Sequence, residues 1–246
     1  MVRAWGKTDI GRVRGENQDT YFVELEPDGF TACVVCDGMG GAAAGAVASR
    51  IAASAFIEEI RQRAPGEHRD AEFLKELSKE AVLAANREVC RSAEENPDYN
   101  GMGTTLVAAV GSGSDFVITN IGDSRAYLIS EAEGCVRLTR DHSLVEDMMM
   151  QGDLTREQAK THPSKNLITR AIGADDAADC DVYYRKMSPG EHILLCSDGL
   201  TNMVEEQEIL YEVLHGGDKE LVCERLIALA NEHGGRDNVT AVLLEI

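Results

Sequence analysis

The chain has 246 residues, 43% of them hydrophobic, which is enough to bury a sizeable core, and a formal net charge of -19. That charge repels nucleic acid and anionic membrane at long range, which sets both aside as partners. No apolar run approaches the ~20 residues of a membrane span, and the first twenty or so residues lack the apolar core of a signal peptide, so a cytoplasmic setting without membrane insertion is expected.

In chain order, strand-like runs cover 2–8, 20–25 and 30–36, each short, rich in β-branched or aromatic residues and bounded by Gly or Asp. Helical periodicity takes over at 42–63, where Val47, Ile51, Ala55 and Ile60 lie near one face, and again at 72–93. Strands resume at 104–110, 116–120, 125–130 and 135–138. Residues 143–170 are polar, with short helical stretches around 144–151 and 155–160 ahead of His162-Pro163, and read as a surface flap; Arg156, Lys160, Lys165 and Arg170 concentrate positive charge there. Strands at 180–186 and 192–196, helices at 205–214 and 219–232, and a strand at 239–246 complete the order.

Strands in succession, then paired helices, then strands again, lack strict βαβ alternation. The expected fold is therefore α+β, a four-layer α-β-β-α sandwich of two antiparallel sheets flanked by helices, with the flap over a cleft. No Pro/Ser-rich linker divides the chain, and the GSGS stretch at 111–114 is only hairpin-sized, so one domain over 1–246 is expected. Seven Cys, an odd number set mostly in apolar patterns, fit reduced buried thiols better than a disulfide framework. Cys33 and Cys36 form a CxxC, but positions three apart in a strand face opposite sides and cannot readily share a metal or a bond.

Four Asp-centred clusters stand beside the apolar runs: ENQD at 16–19, CDGMGG at 36–41, SDGL at 197–200 and RDN at 236–238. Carboxylates at strand ends, spread from one end of a chain to the other, can converge in one cleft and hold hard divalent cations through oxygen ligands. That pattern points to metal-assisted chemistry on phosphate. Asp-Gly between apolar runs is ordinarily a hairpin turn, but Gly38 and Gly199 each lead into helix-forming or turn sequence, not a returning strand. The two pairs also echo each other, as VVCDGMG from Val34 and LLCSDGLT from Leu194. Gly38, Gly40 and Ala43 loosely match a dinucleotide-binding turn; against it, Glu58 and Glu59 fall inside a helical pattern, where a ribose-binding acid should end a strand, and Asp37 would set its charge near the pyrophosphate. Arg14 precedes the first cluster, and a guanidinium fork beside a carboxylate-metal centre suits the remaining oxygens of a phosphate. No His joins a Ser or Cys in a nucleophilic arrangement. His142 reads as structural, and His162 belongs to the flap.

Taken together, DIGRVRGENQD, VVCDGMGG, GMGTTL, ITNIGDSRAYLI, LTRDHSLV, NLITRAIG, LLCSDGLT and GGRDNVTAVLL resemble, in order and over nearly the whole chain, the PP2C-type (PPM) metal-dependent protein Ser/Thr phosphatases of bacteria. The resemblance implies that Asp37 bridges two Mg²⁺ or Mn²⁺ ions, that the Gly38 carbonyl helps hold the second, and that Asp198 and Asp237 complete the first. It implies that Asp19 orients the attacking water, that Asn238 supports the Asp237 region, and that Arg14 holds the phosphate. Asp123 matches a position that, with Asp198, holds a third and looser ion in bacterial relatives. Gln18 stands where many relatives carry an acid, which weakens the second ion. Met39 stands where animal relatives carry a His thought to protonate the leaving group, and a thioether cannot supply that proton. The activity implied is metal-dependent hydrolysis of phosphoserine and phosphothreonine in proteins by a metal-activated water, opposing a Ser/Thr protein kinase, with phosphorylated proteins as partners. Two alternatives stay open: a phosphatase for small phosphometabolites at the same site, and a catalytically inactive module that binds metal or phosphoprotein.

Overall fold

The computed structural model describes residues 2–26, 29–41, 44–64, 69–175 and 177–246. Ala42 and Ala43, the start of the helix expected over 42–63 and the end of the dinucleotide-type turn, lie outside the described residues. The chain runs β1 (Arg3–Asp9), β2 (Asp19–Leu25), β3 (Phe30–Met39), α1 (Ala44–Arg63), α2 (Ala71–Glu95), β4 (Gly103–Thr104), β5 (Leu106–Ser112), β6 (Asp115–Ile121), β7 (Arg125–Ser130), β8 (Gly134–Arg137), α3 (Leu144–Gln151), α4 (Arg156–Thr161), β9 (Asp181–Lys186), β10 (His192–Cys196), α5 (Asp198–Thr201), α6 (Glu206–His215), α7 (Val222–Glu232) and β11 (Val239–Glu245).

One sheet has the order β1-β11-β10-β7-β8 and the other β2-β3-β5-β6-β9, with β4 paired to β3. Every pairing is antiparallel. Because each sheet is covered on both faces, the usual alternation collapses into continuous apolar runs, and Ala32, Cys33, Val34, Val35 and Cys36 are all 0% exposed. The pleat still sorts them. Cys33 and Val35 point between the sheets, toward Leu128, Leu195 and Val242. Ala32, Val34 and Cys36 point outward to Ala48, Ala52 and Phe56 of α1 and to Leu77 and Val82 of α2. On the far side, Tyr127, Leu194 and Leu243 pack on Ile209 of α6 and Leu226 of α7. These are the four layers expected, with Cys33 and Cys36 on opposite faces.

Two boundaries differ from the sequence reading. The strand expected over 104–110 breaks at Thr105, whose backbone N–H turns aside to the Asp37 carbonyl at 2.9 Å. The helix expected over 219–232 opens as a 3₁₀ turn, Lys219–Leu221, because the Asp218 side chain accepts from the Glu220 N–H before α7 begins. Within the flap, Ser143 caps α3 and a reciprocal Thr155–Gln158 capping box starts α4. The segment is closed on itself by Leu144 N–H to the Leu167 carbonyl and tied back to the body by Thr169 N–H to the His142 carbonyl and the Arg137–Glu146 and Arg140–Asp147 ion pairs.

Candidate active site

Strand ends from both sheets bring the acidic clusters to one edge of the sandwich. Asp19 opens β2 and is the direct cross-strand partner of Asp37 in β3, so both carboxyls leave the same face of one sheet. Asp198 is the first residue of α5, just past β10, and Asp237 sits two residues before β11, both at the matching edge of the other sheet. Asp123 lies in the short connection from β6 to β7. The local sequence makes this crowding possible. A Cβ on Gly38 would stand 2.0 Å from the Gly45 carbonyl oxygen, and one on Gly199 would stand 1.9 Å from the Asn238 carbonyl oxygen, so at both points backbone lies directly on backbone.

The backbone of Asp37 is held by threonines. Its N–H donates to Thr105 Oγ1 at 3.0 Å, and its carbonyl accepts from Thr104 Oγ1 at 2.9 Å. Thr105 Oγ1 also meets Ser124 Oγ at 2.7 Å, beside Asp123. Asn238 is the hub of the arginine-bearing loop: its amide donates to the Ile10 and Glu16 carbonyls at 3.0 and 2.9 Å and its Oδ1 accepts from Gln18 N–H at 2.8 Å. That loop carries Arg14, whose Nη2 donates to Asp237 Oδ2 at 2.7 Å.

The electrostatics describe one shared concentration of negative charge. Burial, then the charges of Asp19, Asp198, Asp123 and Asp237, push the Asp37 carboxyl well above the ordinary range. Burial raises Asp19 to about 6, against the pull of Thr240 and Ser197 hydroxyls. Burial, with Asp198 and Asp141, raises Asp123 to about 8. Asp198 is raised by burial and by Asp237, with partial relief from Arg125 and from Asn202, whose amide donates to Oδ2 at 2.9 Å. The guanidinium of Arg14 is held more firmly charged by its bond to Asp237, and the charges of Asp37 and Asp198 add to this. Oδ1 of Asp19 and Oδ1 of Asp198 are buried without a hydrogen-bond partner among the described residues.

Four carboxyls raised by burial and by neighbouring charge, with the Asp237 carboxylate beside them, two orphaned carboxylate oxygens and a backbone carbonyl make a hard, all-oxygen donor set of the kind that suits Mg²⁺ or Mn²⁺. Among the described residues no three His, Cys, Asp or Glu side chains are yet drawn close enough to hold an ion by themselves. The acids converge, with Arg14 and Asn202 occupying one oxygen each of Asp237 and Asp198.

A cleft of about 470 Å³ opens from Asp123, Asp198 and Asn202 and runs under the flap to Met149, Met150, Arg156, Lys160 and Lys165. Lys160 pairs with Glu205 across it at 3.3 Å. Arg170 does not join them; it pairs with Asp179 and Asp181 at the β9 edge. A larger groove of about 690 Å³, along the outer side of α1 and α2 from Phe22 to Arg87, contains none of the five acids. His142 is buried, accepts from Gly122 N–H at 3.2 Å and faces Asp181, and burial lowers its pKa, so it is structural as expected. His162 serves its own turn by accepting from Ser164 N–H.

The sequence reading singled out all five acids, Gly38, Gln18, Arg14 and Asn238, and the structure gathers them. It missed Thr105, Asn202, Thr8, Ser197 and Thr240. The available signal was polar residues at positions where strands otherwise read as apolar: Thr8 and Thr240 face each other across β1 and β11.

Comparison with known proteins agrees with this geometry. A family model described as protein phosphatase 2C matches residues 12–238. The serine/threonine phosphatase stp of Listeria monocytogenes is 38% identical over 242 residues, covering 97% of this chain and 94% of that protein. The structure of the S. agalactiae serine/threonine phosphatase superposes with a TM-score of 0.91 at 31% identity, over 100% of both chains. The catalytic domain of the serine/threonine protein phosphatase PstP, solved with two manganese ions, superposes with a TM-score of 0.86 at 33% identity, covering 99% of this chain and 97% of that one.

Proposed function

The chain belongs to the protein phosphatase 2C family, and from that premise we propose that it hydrolyses phosphoserine and phosphothreonine in proteins with the help of Mg²⁺ or Mn²⁺. The observation that carries the reading is the convergence of Asp19, Asp37, Asp123, Asp198 and Asp237 on one buried edge, with Arg14 bonded to Asp237.

Asp37, the Gly38 carbonyl, Asp198 and Asp237 would hold two ions, and Asp123 with Asp198 a third. Such ions lower the pKa of an attacking water and offset the phosphoryl charge. The chain's own groups do the rest. Arg14, on a loop fixed by Asn238, turns its planar fork to the phosphate oxygens. Asp19 accepts a hydrogen bond from the water and aims it in line with the departing Ser or Thr oxygen. Gln18 adds no charge to this set, so the second ion would rest on Asp37 and backbone. No thiol competes as nucleophile: burial raises Cys33 and Cys196 to about 12 and Cys36 well above its ordinary value. Met39 stays without a proton to give. The site draws on residues from Arg14 to Asn238, so one domain carries it, acting on substrates of a Ser/Thr kinase; no helix among the described residues is long and apolar enough to cross a membrane.

The test is turnover of a phosphothreonine peptide, a chromogenic aryl phosphate and a set of small phosphometabolites, with Mn²⁺ and with chelator. Metal-dependent turnover that favours the peptide supports the reading. Full turnover in excess chelator after removal of bound metal sinks it, and preference for a metabolite moves the substrate class.

A further inference from the structure

Asp19 is 7% exposed, and its two carboxylate oxygens are treated unequally. Oδ2 accepts from Ser197 Oγ and from Thr240 Oγ1, each at 2.7 Å. Oδ1 is buried with no hydrogen-bond partner among the described residues.

Elimination fixes the direction of every bond behind Oδ2. A carboxylate only accepts, so Ser197 and Thr240 each point their single hydroxyl proton at it. Thr240 Oγ1, with its proton committed, must accept from Thr8 Oγ1 at 2.7 Å. Thr8 in turn accepts from the Asn17 amide Nδ2 at 2.9 Å. The Asn17 amide is oriented because its Oδ1 accepts from the Asp19 N–H at 3.1 Å. On the other side, Ser197 Oγ accepts from the Thr240 N–H at 3.0 Å. Two chains of donors, one from Asn17 through Thr8 and Thr240 and one from the Thr240 backbone through Ser197, therefore end on the same oxygen. Aligned donors polarise one another, so each link strengthens the last.

The placement matters as much as the count. Asp19 belongs to one sheet, whereas Thr8, Thr240 and Ser197 belong to the other sheet or to its edge. The hydroxyls thus fasten a carboxylate of one layer to the strands of the facing layer. Rotation of the carboxylate about its terminal torsion, ordinarily broad, is stopped.

We propose that Thr8, Ser197 and Thr240 are positioning residues for the hydrolysis: they fix Oδ2 of Asp19 and so present Oδ1, and only Oδ1, to the attacking water. This rests on the phosphatase reading above. Nothing in the arrangement asks these hydroxyls to touch substrate or ion; they act through Asp19.

The experiment compares Thr240→Val, which keeps shape and removes the hydroxyl, with Thr240→Ser, which keeps the hydroxyl, and with Thr8→Val and Ser197→Ala. Each is measured for kcat and KM on a phosphothreonine peptide with Mn²⁺, and separately for Mn²⁺ affinity by titration without substrate. Thr240→Val is expected to lower kcat about tenfold, the scale of one hydrogen bond to a charged group, with KM and Mn²⁺ affinity held within about twofold. Thr240→Ser restores kcat. Thr8→Val, which does not touch Asp19, lowers kcat about threefold through the polarised chain. In an Asp19→Asn background, Thr240→Val costs nothing further, as two groups acting through one function require. The proposal is overturned if Thr240→Val keeps full kcat while Asp19→Asn is impaired, or if the two losses multiply, which would make Thr240 a residue of the fold alone. Should Thr240→Val fail to fold, Ser197→Ala and Thr8→Val carry the same comparison. Absence of metal-dependent turnover in the unsubstituted protein would instead remove the phosphatase reading.

Discussion

Asp37-Gly38 and Asp198-Gly199 each come after an apolar strand and a cysteine, yet the chain leaves them differently. β3 runs straight through Asp37 to Met39, so the carboxyl stays in the pleat, opposite Asp19 and flanked by Thr104 and Thr105. At Asp198 the strand has already ended, and the carboxyl opens a four-residue helix whose last turn returns the Asn202 amide to it. Every charge that bears most on Asp37 is negative, whereas Asp198 also has Arg125 and Asn202 as relief. Similar letters therefore give one acid whose largest influences are all unfavourable to its charge and one that is partly relieved by Arg125 and Asn202.

The largest effect should fall on the first of them. Asp37→Ala is expected to lower turnover by at least ~10³-fold at any Mn²⁺ concentration, if Asp37 is the shared ion ligand proposed above. Asp198→Ala should leave residual turnover that rises with added Mn²⁺. Identical profiles for the two variants across a Mn²⁺ titration would erase the distinction. Arg14→Ala comes next: loss of a bidentate, charge-assisted contact of about 1.5–3 kcal/mol should raise KM about 10- to 150-fold for phosphorylated substrates. Mn²⁺ affinity should not weaken, since Arg14 bonds to Asp237 in competition with a cation. Weaker Mn²⁺ binding with unchanged KM would reassign the residue.

A pH series separates the two acids without turnover. A carboxyl whose folded pKa lies above its unfolded value contributes stability at low pH that is lost as pH rises through the folded value, here about 6 for Asp19 and about 8 for Asp123, with Asp37 also well above the ordinary range. In chelator, thermal stability should fall between about pH 4 and about pH 8, and Mn²⁺ should reverse the fall. Asp37→Asn should flatten this profile more than Asp198→Asn, as read by thermal unfolding; the opposite ranking would show that relief at Asp198 is illusory. The smallest effect belongs to the flap. Arg156→Ala with Lys160→Ala should lower kcat/KM for a phosphopeptide about threefold to tenfold and leave an aryl phosphate nearly unchanged, since exposed charges are screened beyond roughly 8 Å and act only on docked substrate. Equal losses on both substrates would tie the flap to the acid centre instead.

Much of this was legible in the letters. Strand runs bounded by Gly or Asp gave the sheets to within a few residues at each end, and the Asp-Gly pairs with Arg14 and Asn238 pointed to the edge where the acids gather. Thr105 was not legible, because it looks like any β-branched strand residue; only the backbone of Asp37, nearly seventy positions earlier, turns it out of register. Thr8, Ser197 and Thr240 form a small hydrogen-bonded network between segments far apart in the chain, and such long-range contacts leave no periodic trace. Arg170 looked like part of the flap's positive charge because sequence proximity cannot show that Asp179 and Asp181 draw it away.

The buried cysteines have a use of their own. Cys33 lies in the layer between the sheets, Cys36 in the layer beneath α1, and Cys196 in the layer beneath α6 and α7. All three are free and 0% exposed. Each packed layer thus holds a native chemical reporter, and timed alkylation under native conditions, read peptide by peptide in a mass spectrometer, would rank how often each layer opens to solvent and which one loosens when the cation is withdrawn.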